Sequence, residues 1–170
     1  MDYGNWKPKD VRKLIREGKI TGQTSGMCNG YAQANLAILP KSLAFDFLLF
    51  TQRNRKPCPL LDVTEAGNPE PKLAAPGADI RLDIPKYRIY KKGVLTDEVT
   101  DLSGYWQDDY VAFLLGCSFS FESPMIEDGL DVRHITDQHN VPMYITNIPC
   151  VPAGVFHGPM VVSMRPMKPA

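Results

Sequence analysis

Within "GCSFSFES", the six residues from Cys117 to Glu122 place a thiol, two hydroxyls and a carboxylate among phenylalanines, directly after the apolar run Val111 to Leu115. Each group has a chemistry. A cysteine at a helix-entering bend can be a nucleophile with a lowered pKa, or an ordinary buried thiol; both readings fit Cys117. Ser118 and Ser120 supply hydroxyl donors, and the free N–H groups at the start of a following helix offer partial positive charge to an anion. Glu122, flanked by Phe121 and Pro124, is placed for desolvation, which favours the protonated form and suits general acid or base work; a capping or ion-paired glutamate is the plainer alternative.

A second polar stretch, "TSGMCNGYAQAN", adds the hydroxyls of Thr24 and Ser25, glycines Gly26 and Gly30 that let backbone approach a ligand, then Tyr31, Gln33 and Asn35. It lacks the lysine of a Walker loop and precedes no dinucleotide fingerprint, so a carboxylate suits it at least as well as a phosphate. Tyr144 and Asn147 could hold ligand polar groups, or satisfy loop backbone. Arg165, like Arg133, could clamp a carboxylate bidentately or lie on the surface. His134, His139 and His157 have no metal-binding spacing, Cys28, Cys58, Cys117 and Cys150 form no CxxC pair, and GxSxG is absent. No preformed metal site and no cofactor are expected, the sequence leaves divalent-ion assistance open, and the cysteines read as free thiols.

Composition narrows the partner. In 170 residues, 19 Lys and Arg balance 19 Asp and Glu, so no global field recruits nucleic acid or an acidic membrane. No apolar stretch reaches membrane-spanning length, and the N-terminus lacks a signal-peptide core. The expectation is a cytoplasmic protein with a small carboxylate or amino acid as ligand, able to form a homo-oligomer. Length allows one domain or two small ones.

Those residues need elements to hold them. Apolar spacing and Gly18 predict a helix over "KPKDVRKLIREG"; "NLAIL" ending at Pro40 reads as a strand, "KSLAFDFLLFTQRN" as a helix and "KPCPLLDVT" as a short buried strand. Residues 65–85 crowd prolines and glycines. "KYRIYKKGVLTDEVTDL" alternates as a hairpin turning near Lys92-Gly93. "WQDDYVAFLLG" reads as a buried helix with acidic residues at its start, "FESPMIEDG" as a short helix closed by Gly129, and "DVRHI", "VPMYITN" and "GPMVVSMRP" as β segments. The fold class is mixed α/β, a layered sheet with helices plus a smaller hairpin-containing part, divided as 1–64, 65–105 and 106–170.

The runs "TSGMCNGYAQANLAILPKSLAFDFLLFTQRNRKPCPLLDVT", "APGADIRLDIPKYRIY", "DDYVAFLLGCSFSFE", "RHI", "NVPMYITNIPC" and "VVSMRP" closely resemble the hydro-lyase family also called the D-glutamate cyclase family. The resemblance implies an α/β fold of two interleaved substructures and a lyase that closes D-glutamate to 5-oxo-D-proline with loss of water. It also implies a C-terminal third after "VVSMRP" that a chain ending at Ala170 lacks. For that reaction the residues suggest Glu122 as proton shuttle, the Gly116–Ser120 bend as oxyanion stabiliser, and Asn147, Tyr144 or Ser25 as substrate holders. A Cys117 thioester is the competing route. A non-catalytic carboxylate binder, or a shortened inactive member, is the alternative from a different class.

Overall fold

In the computed structural model, which describes residues 2–137 and 139–167, the elements follow in the order α1 (Pro8–Arg16), β1 (Ala34–Pro40), α2 (Lys41–Arg53), β2 (Leu60–Val63), β3 (Tyr87–Lys91), β4 (Val94–Val99), β5 (Tyr110–Gly116), a 3₁₀ turn (Ser118–Phe121), α3 (Glu122–Glu127), α4 (Arg133–Thr136), β6 (Met143–Pro149) and β7 (Pro159–Ser163). Helices and antiparallel sheets are combined, a mixed α/β chain. Among the described residues no helix is long and apolar enough to cross a membrane.

The most apolar run of the sequence is a strand, not the helix its composition suggested. β5 lies between β1 and β2 in a three-stranded sheet, antiparallel to both, and Ala112 and Phe113 are 0% and 1% exposed. A strand covered on both faces shows no polar alternation, and a run this short cannot display a helical stripe either. Asp109 does not open a helix; its carbonyl accepts from the Lys41 N–H at 2.8 Å, at the junction of β1 and α2. A second correction concerns "DVRHI". There the β-branched residues suggested a strand, but the chain makes the single turn α4, whose only buried side chain is His134; the packing of that side chain overrides local propensity.

The remaining elements lie where the sequence puts them. α2 lays Phe47 edge-on against Phe113 at 4.8 Å and against Phe156 at 5.0 Å, so the helix covers the sheet and anchors the segment between β6 and β7. Asn54, which caps α2, strengthens that anchor: its amide donates to the Val151 carbonyl and its oxygen accepts from the Val151 N–H, both at 2.8 Å. α1 packs Val11 and Ile15 with Ile20 and Cys28 in a separate cluster that Met27 borders, which fixes the start of the polar loop. At the β3–β4 turn Lys92 and Gly93 have φ of 50° and 78°, the left-handed pair of a type I′ hairpin.

Candidate active site

Gly116 ends β5 against Pro59, where an added Cβ would stand 3.3 Å from a proline ring carbon. The chain then bends towards the polar loop, and Gln33 joins the two. Its carbonyl accepts the Cys117 N–H at 2.8 Å, and its own N–H donates to Ser120 Oγ at 2.8 Å. Its side-chain amide donates to the carbonyls of Thr24 (3.0 Å) and Met27 (3.2 Å) and accepts from the Thr24 hydroxyl at 2.7 Å. That closes the loop on itself around Gly26, whose φ of 74° favours a residue without a Cβ.

Glu122, the first residue of α3, is 2% exposed and sits where loop, bend and β7 meet. Its Oε2 accepts from the Ser25 hydroxyl at 3.0 Å. Its Oε1 accepts from Arg165 Nε at 3.1 Å and Nη2 at 2.5 Å. Arg165 is held in turn: Nη2 reaches Ser118 Oγ at 3.0 Å, Nη1 reaches Ser163 Oγ at 3.0 Å, and the guanidinium lies 4.7 Å over the Phe121 ring. His134 brings Nε2 to 2.9 Å from the same Oε1, but off the line of its N–H, so that neither ring nitrogen has a hydrogen-bond partner among the described residues. A buried carboxylate is tolerable only when paired in this way.

Glu122 lines a cavity together with Gly26, Tyr31, Gln33, Phe119 and Ile135, about 20 Å³ in volume, room for little more than one water. Cys28 also lines it, and burial pushes that thiol above its ordinary pKa, away from nucleophilic use. Among the described residues no three His, Cys, Asp or Glu side chains gather as a metal site requires.

Of the residues singled out by sequence, Glu122, Ser25, Ser118 and Arg165 share one bonded network, and Gly26, Tyr31 and Gln33 share the cavity wall. Thr24 and Ser120 spend their hydroxyls on Gln33. Asn35 is exposed on β1, and Tyr144 and Asn147 are exposed on β6, apart from the network. Cys117 is not among the cavity-lining residues. The bend is also not the expected row of free donors, because the N–H groups of Gly116, Cys117 and Ser120 are taken by the carbonyls of Pro59, Gln33 and Cys117. The sequence offers His134 only as a candidate metal ligand, and nothing in it marks the place beside the carboxylate. The one local signal was a histidine followed by Ile135 in a segment too short to be a convincing strand.

A D-glutamate cyclase family model matches residues 111–170, the stretch holding β5, the bend, Glu122, His134 and Arg165. The chain is 70% identical over 160 residues to "Putative hydro-lyase YcsI" of Bacillus subtilis, covering 94% of this chain and 62% of that protein. It is 65% identical over 167 residues to a "Putative hydro-lyase" of Thermoanaerobacter sp., covering 98% and 63%. To one of Psychrobacter arcticus it is 62% identical over 167 residues, covering 98% and 64%. The chain thus spans somewhat less than two thirds of the length of these curated relatives. Identity of this order runs along nearly the whole chain, and the family model overlies the buried acid with both of its nitrogen partners: over the length it spans, the chain is similar to members of the D-glutamate cyclase family.

Proposed function

We propose that this chain carries the reaction centre of a hydro-lyase that closes D-glutamate to 5-oxo-D-proline and water, with Glu122 as its proton carrier. In that reaction the amino nitrogen attacks the γ-carboxyl carbon, a C–N bond forms and a C–O bond breaks. The ammonium gives up two protons and the departing oxygen takes two, so one carboxylate that accepts and returns protons serves both transfers. Glu122 supports this role by its burial, by its place on the cavity wall and by an Oε2 whose one bonded partner is a hydroxyl. Arg165 balances its charge while Tyr31, on the cavity wall, offers a donor for a substrate oxygen. A Cys117 thioester has no support from the cavity lining. Because the cavity is nearly water-sized, D-glutamate enters only when the Thr24–Tyr31 loop moves off the bend.

The observation carrying this reading is the buried, charge-paired Glu122 on the wall of the cavity, within the stretch that the family model covers. Incubation with D-glutamate should yield a product lighter by one water in mass spectrometry, and Glu122→Gln should lower the rate at least about 100-fold. A variant that cyclises at the parent rate removes Glu122 from the mechanism. Thermal stabilisation by D-glutamate without loss of water would instead favour a carboxylate-binding protein.

A further inference from the structure

The two oxygens of Glu122 are not equivalent. Oε1 faces three nitrogens, Nε and Nη2 of Arg165 and Nε2 of His134, whereas Oε2 has one hydroxyl partner, Ser25. An imidazole lone pair 2.9 Å from a carboxylate oxygen repels it, so the neutral tautomer that fits carries its hydrogen on Nε2. Oε1 then accepts both Arg165 N–H groups and has His134 Nε2 crowded against it, which leaves Oε2 the more open oxygen. α4 thus buries an imidazole that has no hydrogen-bond partner among the described residues and stands against this carboxylate. The charged neighbours on α4 do not face inwards: Arg133 and Asp137 pair with each other at 3.9 Å in solvent. Bonded to the carboxylate beside the imidazole are Arg165, arriving beyond β7, and Ser25 from the loop.

We infer that His134 is the positioning residue of the proton transfer: together with Arg165 it occupies Oε1 of Glu122, so the proton is taken from the substrate ammonium and returned to the leaving oxygen at Oε2 alone. The inference rests on the cyclase reading, but its physical core, an imidazole in close contact with a carboxylate, is independent of turnover.

Two measurements on the full chain decide it. In the first, His134→Leu lowers kcat for D-glutamate about tenfold to 100-fold, leaves KM within about twofold and changes the pH profile of kcat, whereas His134→Gln, which keeps an N–H donor, restores most of the rate. A purely structural histidine predicts an unchanged pH profile and no difference between the two variants, and that result overturns the inference. In the second, nitrogen-15 NMR of the His134 ring shows the hydrogen on Nε2 in the parent chain and displaced ring nitrogen resonances in Glu122→Gln. Identical ring nitrogen resonances in both proteins refute the pairing. Should the parent fail to convert D-glutamate, the cyclase reading falls, and the NMR comparison alone rules on the pair.

Discussion

Glu122 and Arg165 are 2% and 6% exposed at their side chains, and at that depth a charge is tolerable only because its partner is there. Removing either leaves the other uncompensated in a medium that solvates it poorly. Arg165→Met, close in length and apolar, should therefore destabilise the chain by about 3–5 kcal/mol in urea unfolding. The double variant with Glu122→Gln should be less destabilised than the two single effects added together, since it leaves no orphaned charge. Additive losses would show that the pair is not coupled. The carboxylate and the nearby hydroxyls were legible from residue type, because few folds place such groups among phenylalanines without a use for them. The identity of the clamp was not: Arg165 lies 43 positions from Glu122, and sequence made it a hand for a ligand's carboxylate where the fold gives it the protein's own.

At the scale of elements, the bend and the loop are one device, since three side-chain bonds from Gln33 define the loop while its main chain holds Cys117 and Ser120. Gln33→Ala removes the side-chain half and keeps the backbone half. With roughly 1 kcal/mol per hydrogen bond, amide exchange across Thr24–Tyr31 should quicken tenfold or more, while β5 amides stay as protected as in the parent. Equal acceleration in both places would mean that Gln33 holds the whole sheet and not the loop. The sequence made loop and bend visible as polar interruptions, but not their union, because one glutamine bonding both ways carries no pattern. β5 shows the opposite limit. Its apolar run was unmistakable, yet its type was decided by β1 and β2 on either side, a fact of pairing rather than of composition.

Across the whole molecule, bonds span the boundaries that composition suggested near residues 64 and 105. The Asp62 carboxylate accepts the N–H groups of Leu73 and Ala74, both at 2.9 Å, and the Trp106 indole donates to the Gly67 carbonyl at 3.0 Å. Asp83, buried and held by both Arg12 and Arg16, fastens residues 79–83 to α1. Tyr87 completes this chain of attachments. Its hydroxyl donates to the Ile80 carbonyl at 2.7 Å and accepts from the Ile84 N–H at 3.1 Å, pinning the β3–β4 hairpin to the same turn. Burial pushes the phenol well above its ordinary pKa, with Asp83, Asp79 and Asp101 adding to the rise against the Ile84 N–H. A raised value in the folded state gives stability that is complete below the unfolded pKa near 10 and is lost as pH climbs beyond it, because the unfolded chain ionises first. Cys28 and Cys58, thiols also raised by burial, start the same loss from a slightly lower pH, while exposed pairs such as Lys72 with Glu65 contribute little. Urea unfolding between about pH 8 and 11 should thus show stability falling steadily in the alkaline range. Tyr87→Phe should cost about 1–3 kcal/mol at neutral pH by stranding its two backbone partners, and it should flatten the fall above pH 10 by up to about 1.4 kcal/mol per pH unit, one proton's worth. An unchanged alkaline slope in that variant would mean that the phenol ionises as freely in the folded chain as in the unfolded one, and that the hairpin is not fastened through it.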